Sequence, residues 1–154
     1  MIYLGADHRG FLLKEKIKIW LADDGMASSD LGPAVLKPED DYLDYAALVC
    51  KRVLQIPSSF GILICGTGIG MSINANRFPE IRAALCTSAF MAERARSHDD
   101  ANILVLGSEN NSDDEFKQIV KIFLATKFSG EQKYIRRIKK IEQNDLPAGR
   151  QANQ

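Results

Sequence analysis

Cys65 closes a short apolar run, Ile62-Leu63-Ile64, and is followed by Gly66, Thr67, Gly68, Ile69 and Gly70. The run is bounded by Gly61 and reads as a buried parallel strand. Glycines let the turn take positive φ and bring backbone N–H groups close to a ligand. The chain then reads as a helix from about Gly70 to Arg77, ended before Pro79. Strand, glycine-rich turn and helix N-terminus make an anion cradle of free N–H groups at the positive end of a helix dipole. A thiol at its edge is poised for chemistry, because such donors favour the thiolate. Thr67 is close enough in sequence to hydrogen-bond it. Taken alone, a cysteine at a strand end is more often an inert apolar residue. Cys50 and Cys86 lack the cradle and read as packing residues.

The chain has two histidines, and both lie in polar clusters rather than on apolar stripes. His8 belongs to Asp7-His8-Arg9-Gly10, after a first apolar segment, and His98 to Ser97-His98-Asp99-Asp100. Histidine titrates near neutrality and can move protons. A lone histidine is more often structural or solvated, but two of two in polar clusters favours function. Asp7 could orient a ligand hydroxyl or cap the next helix. The basic run Lys127–Lys140, with Lys133, Arg136, Arg137, Lys139 and Lys140, has two readings. One is a solvated helix face; the other is a phosphate clamp, for which the arginine fork is suited. Glu39-Asp40-Asp41 reads as solvated loop. With no H-E-x-x-H and no paired C-x-x-C, no metal site is expected. Gly66-Thr67-Gly68-Ile69-Gly70 is similar to a dinucleotide fingerprint, but its third glycine comes one residue early. Thr87 and Ser88 stand where that fingerprint needs an acid. It also lacks the G-K-[ST] of a Walker loop.

These groups need a scaffold, and the pattern supplies one. Short strands are expected at Ile2–Ala6, Met26–Leu31, around Ile62–Ile64, at Ile81–Cys86 and at Ile103–Leu106. Helices are expected over Phe11–Asp24 (stripe Leu13, Ile17, Trp20, Leu21) and Tyr45–Ile56 (stripe Ala46, Val49, Val53, Ile56). A further helix runs from a Ser88 cap to about Arg96, with Ser97–Asp100 as a polar break. Another opens on a Ser112/Glu115 capping box and buries Phe116, Ile119, Val120, Phe123 and Leu124. The last covers about Gln132–Gln143, with Ile135, Ile138 and Ile141 on one side. Most of Gly32–Asp44 reads as loop. The alternation implies an α/β fold with a five-stranded parallel sheet covered on both faces. Ligands bind such sheets at the carboxyl ends of the strands, near a topological switch point.

The 154 residues suit one domain, expected over 1–146, with a polar, disordered tail at 147–154. Hydrophobic residues make up 45 % and charged residues 26 %, an ordinary globular balance, and the formal net charge is +0. That argues against a general nucleic-acid binder. No apolar run approaches the ~20 residues of a membrane span. The N-terminus lacks a secretory pattern, and three cysteines are too few for a disulfide framework, so a cytoplasmic location is expected.

The motifs Gly5-Ala6-Asp7-His8-Arg9-Gly10, Asp41-Tyr42, Cys65-Gly66-Thr67-Gly68-Ile69-Gly70, Asn74-Ala75-Asn76-Arg77, Ile81-Arg82-Ala83 and His98-Asp99-Asp100-Ala101-Asn102 occur in this order. Together they resemble the type B ribose-5-phosphate isomerases, a family that includes galactose-6-phosphate and allose-6-phosphate isomerases. The resemblance covers roughly residues 2 to 141, and its C-G-T-G-x-G-x-S-x-x-A-N signature is specific. It implies a Rossmann-like αβα sandwich with a C-terminal helix, no cofactor and no metal. It implies a homodimer or a dimer of dimers whose sites are completed by the partner subunit. The implied reaction is aldose–ketose isomerisation of a sugar phosphate through a cis-enediolate, with ribose 5-phosphate the first candidate. Cys65 would be the base and Thr67 would hold the thiol. The N–H groups of Gly66, Gly68, Ile69 and Gly70 would stabilise the enediolate. His98, with Asp7 nearby, would assist ring opening. His8 would bind phosphate with Lys133 and Arg137. Asn74, Asp99 and Tyr42 would contact substrate, Tyr42 from the partner chain.

Four departures from the family pattern stand out. Asp99 replaces an asparagine, removing a donor and adding charge. Glu109 replaces the arginine of a Gly-Ser-Arg segment. The Gly-Gly-Arg-His segment becomes Gly130-Glu131-Gln132-Lys133-Tyr134, so Lys133 is a point charge where the family has a fork. Asp41-Tyr42-Leu43 lacks the usual proline. These changes fall on substrate and phosphate contacts, so a hexose 6-phosphate isomerase or a sugar-phosphate-binding protein without turnover are the alternatives. A nucleotide-binding domain is the third reading.

Overall fold

Strands and helices alternate along the chain in the computed structural model, which describes residues 1–144. They are β1 (Ile2–Ala6), α1 (Phe11–Asp23), β2 (Ser28–Asp30), α2 (Tyr42–Gln55), β3 (Phe60–Cys65), α3 (Ile69–Ala75), β4 (Ala83–Leu85), α4 (Ala89–Asp99), β5 (Ile103–Gly107), α5 (Asp113–Ala125) and α6 (Gln132–Asn144). The expected tail at 147–154 lies outside the described residues. All strand pairs are parallel, in the order β2-β1-β3-β5-β4. The chain steps outward from β1 to β2, then returns to the other side of β1 with β3. The switch point therefore lies between the carboxyl ends of β1 and β3, where Asp7-His8 and Cys65–Gly70 follow.

Both faces of the sheet are covered, which is why the strands read as continuous apolar runs. Successive residues point to opposite faces. Leu4, Ile62, Ile64, Leu104 and Leu106 pack with α1, α4 and α5 on one face. Leu63, Cys65, Ile103 and Val105 pack with α2 and α3 on the other.

Caps set several helix boundaries. Asp41 Oδ1 accepts the Leu43 N–H at 2.9 Å, so α2 starts at Tyr42, three residues before the expected Tyr45. Ser88 accepts the Met91 N–H at 3.2 Å, and the Ser112/Glu115 box forms as expected. α4 does not stop at Arg96. Ser97, His98 and Asp99 form its last turn, and Asp100 ends it in the left-handed region at φ 45°. Ile56 lies past the end of α2 and is exposed, while Trp20 and Leu124 are only partly covered. On α6, Ile135 and Ile138 are half-buried, Ile141 is exposed, and Tyr134 is the buried residue.

Lys14 is a core residue that apolar patterning could not find. It is 0 % exposed on α1. Its Nζ donates to Asp30 Oδ2 at 2.6 Å and to the Pro33 carbonyl at 2.8 Å, which ties the start of the β2–α2 loop to α1. Burial by itself raises the Asp30 carboxyl, but hydrogen bonds from Lys14, Lys18 and the Gly32 N–H outweigh it and leave Asp30 below its usual range. The stability this supplies is present above the ordinary carboxylate value and lost as pH falls through the depressed one. Lys14→Ala is expected to cost about 3 kcal/mol, because it empties the buried space of the alkyl stem and leaves the Pro33 carbonyl without its donor. The urea midpoint should fall with its slope unchanged.

Candidate active site

Cys65 is the last residue of β3 and is 6 % exposed. Its Sγ accepts the Gly68 N–H at 3.2 Å, an arrangement that suits a thiolate. Gly68 has φ 78°, and a Cβ there would lie 2.5 Å from Leu85 Cδ1, so the turn admits only glycine. Among the described residues, the N–H groups of Gly66, Thr67 and Gly70 take no partner within the chain. They line a turn that opens α3 and remain available to an anionic oxygen. By contrast, burial pushes the Cys50 and Cys86 thiols up to about 12, which suits inert packing residues.

Thr67 departs from expectation. Its Oγ1 accepts the Ile69 N–H at 3.4 Å and makes no hydrogen bond to the thiol. A threonine hydroxyl reaches the N–H two residues on more readily than a side chain two residues back. Tyr42 stands over the turn in its own chain, with its hydroxyl 2.5 Å from where a Gly70 Cβ would lie. No second copy is needed to bring it there. Asn74 is half-buried on α3, and Asn76 bonds the Ala83 backbone in both directions, joining α3 to β4.

Beyond β1, Asp7 is 4 % exposed, and its Oδ1 accepts the Arg9 and Gly10 N–H groups at 3.0 Å each. Of its two readings, the capping one describes this oxygen. His8 is held by Asp40, whose Oδ1 lies 2.9 Å from both the His8 N–H and Nδ1. Asp40 is therefore no solvated loop residue, and its side chain is 5 % exposed. With Nδ1 on Asp40, His8 keeps Nε2 for a ligand. Burial, and then Asp40, push the neighbouring Tyr45 phenol up.

Arg9 was not singled out by the sequence. Its guanidinium lies over Gly66, where a Cβ would come within 2.8 Å of Nε, and it pairs with Glu109. The acid at 109 thus has its own counter-charge beside the cradle, supplied from a motif already quoted.

His98, Asp99, Lys133 and Arg137 gather elsewhere. α4 runs back from the carboxyl end of β4 to the start of β5, and its 11 residues span about 16 Å. Arg82, just before β4, donates through Nε to the Asp99 and Asp100 carbonyls at 3.1 and 3.0 Å. This end of α4 therefore sits at the amino edge of the sheet, opposite Cys65 and Asp7. The expected proximity of His98 to Asp7 does not arise within one chain. The Tyr134 hydroxyl lies 2.9 Å from His98 Nε2. Lys133 Nζ and Arg137 Cζ lie 4.7 and 5.6 Å from the centre of the Tyr134 ring. A hydrogen bond to Glu131 raises Lys133 above its usual range. The candidate residues thus form two groups at opposite ends of the sheet.

The sequence profile of the Ribose/Galactose Isomerase family matches residues 2–141. The chain belongs to this family. It is 42 % identical over 140 residues to a probable ribose-5-phosphate isomerase B of Mycoplasma pneumoniae, covering 91 % of each chain. A ribose 5-phosphate isomerase structure from Thermotoga maritima superposes with a TM-score of 0.87 at 46 % identity, covering 92 % of this chain and 96 % of that one. The ribose-5-phosphate isomerase B of Mycoplasma genitalium, solved with bound ribulose-5-phosphate, gives 0.89 at 39 % identity, covering 94 % and 95 %. Family membership accords with the resemblance read over residues 2 to 141 and with an α/β isomerase fold.

Proposed function

We propose that this protein interconverts ribose 5-phosphate and ribulose 5-phosphate without a metal, using Cys65 as the base that moves a proton between C1 and C2. The observation that carries the reading is a buried thiol on the Gly68 N–H, at the rim of a turn whose Gly66, Thr67 and Gly70 N–H groups take no partner among the described residues. An aldose–ketose isomerase needs one base that serves both carbons, because the proton that leaves one joins the other. It also needs donors preorganised around the developing enediolate oxygens, commonly a large catalytic term. Cys65 and the N–H groups of Gly66, Thr67 and Gly70 fill these roles. His8 Nε2 meets the phosphate, with its ring held by Asp40.

His98, Lys133 and Arg137 reach this site from a second copy of the chain, because their own Cys65 lies at the far end of the sheet. Ile69 and Ile73, 55 % and 61 % exposed on α3 beside the cradle, suit cover by such a copy. Glu109 is matched by Arg9, which favours retained turnover over binding alone.

The test is isomerisation of ribose 5-phosphate, allose 6-phosphate and galactose 6-phosphate, with and without a chelator. The expected result is fastest turnover of ribose 5-phosphate, unchanged by the chelator. Faster turnover of either hexose phosphate would rename the substrate. Loss of turnover on chelation would overturn the metal-free reading, and binding without turnover would leave a sugar-phosphate-binding protein.

A further inference from the structure

His98 lies in the last turn of α4, and two side chains converge on its Nε2. Arg94 Nη1, one helical turn earlier, is 3.1 Å away. The Tyr134 hydroxyl of α6 is 2.9 Å away. The imidazole and phenol rings are stacked, with 4.1 Å between centroids and 15° between planes. The hydroxyl therefore meets Nε2 from the ring face, which leaves the in-plane side to Arg94.

A guanidinium has five N–H donors and no acceptor, whereas a phenol can donate or accept. The Arg94 contact is a hydrogen bond only when Nε2 carries no proton and offers its in-plane lone pair, which the Tyr134 hydroxyl over the ring face leaves free. Which imidazole nitrogen is protonated is set by the bond the other makes. We infer that Arg94 is a positioning residue that holds His98 as the neutral tautomer with its proton on Nδ1, so that His98 meets its ligand as a hydrogen-bond donor. Among the described residues Nδ1 makes no hydrogen bond within the chain. Arg94 stands beside the ring from α4, and Lys133 and Arg137 from α6 lie against Tyr134. Glu93 is 3.9 Å from Arg94. An anionic ligand drawn to these cations offers acceptor oxygens, which an Nδ1–H can meet and a bare Nδ1 cannot. The identity of that ligand, a sugar phosphate, rests on the isomerase reading, while the tautomer does not.

The test is long-range proton–nitrogen correlation NMR on the uniformly ¹⁵N-labelled full chain near neutral pH. There are only two histidines, so a His8→Gln sample assigns the His98 signals. The expected spectrum has an unprotonated Nε2 and a protonated Nδ1. Arg94→Met should move the proton toward Nε2, and Arg94→Lys, which keeps a donor without an acceptor, should move it back. Tyr134→Phe should leave it on Nδ1. An Nε2–H signature in the unmodified protein, or an Arg94→Met spectrum identical to it, would overturn the inference. In parallel assays with ribose 5-phosphate, Arg94→Met should lower turnover and shift its pH profile, with Arg94→Lys recovering both. Absent turnover in the unmodified protein alongside an intact Nδ1–H signature would overturn the isomerase reading and support the tautomer assignment.

Discussion

Replacing Cys65 with alanine is expected to lower kcat for ribose 5-phosphate by about 10²–10⁴-fold, the usual worth of a positioned acid–base group. KM should change little, because the substitution removes a group used in the transition state and leaves the N–H donors in place. The fold should survive. Cys65 is one small side chain at the strand end, and among the described residues its thiol is hydrogen-bonded to the Gly68 N–H alone. Cys65→Ser separates position from basicity. A hydroxyl keeps the acceptor for Gly68 but is a poor base near neutrality, so serine should behave like alanine. Circular dichroism and steady-state kinetics check both variants. Retained turnover in Cys65→Ala would place the base elsewhere and remove the mechanism proposed above. Cys50→Ala and Cys86→Ala are the matched controls, since both thiols are buried, held at about 12 and far less reactive.

The second large effect concerns how complete sites are assembled. Cys65 and His8 lie at the carboxyl edge of the sheet, while His98 and Arg137 belong to the amino edge, about one α4 length away. If each site takes one group from each copy, Cys65→Ala and His98→Gln should each be inactive alone and active when mixed. A mixed dimer carries one site with both defects and one site with none. Random exchange between equal amounts makes roughly half of the dimers mixed, so about a quarter of the unmodified activity should return. Joint refolding, or co-expression with two purification tags, provides the mixture. Mixing without recovery, with exchange verified by mass, would mean that each chain holds its whole site. The same logic predicts recovery when Cys65→Ala is mixed with Arg137→Met, and none when it is mixed with His8→Gln, because those two residues share an edge.

What the sequence determined by itself was local. The β/α alternation, the Ser112/Glu115 box and the Cys65–Gly70 cradle each depend on contiguous residues. Strand, turn and helix N-terminus follow one another there, so spacing and residue type suffice to outline the candidate site around the thiol. Local competition was harder to read. Asp41 starts α2 early and α4 continues through His98, since capping and packing outweigh the polar character of those stretches.

Tertiary structure decided everything that joins distant residues. Asp40 holds His8 across 32 positions, and Arg9 meets Glu109 across 100. Polar pairs of this kind carry no periodic signature. Lys14 is wholly buried because Asp30 and the Pro33 carbonyl satisfy its ammonium, which apolar patterning cannot foresee. The placement of His98 depended on the direction in which α4 runs. A motif in sequence order carries no record of which end of the sheet it occupies. In a parallel α/β fold, each helix returns the chain to the opposite edge. Residues at the start of a helix and those at its end therefore face different sides of the molecule.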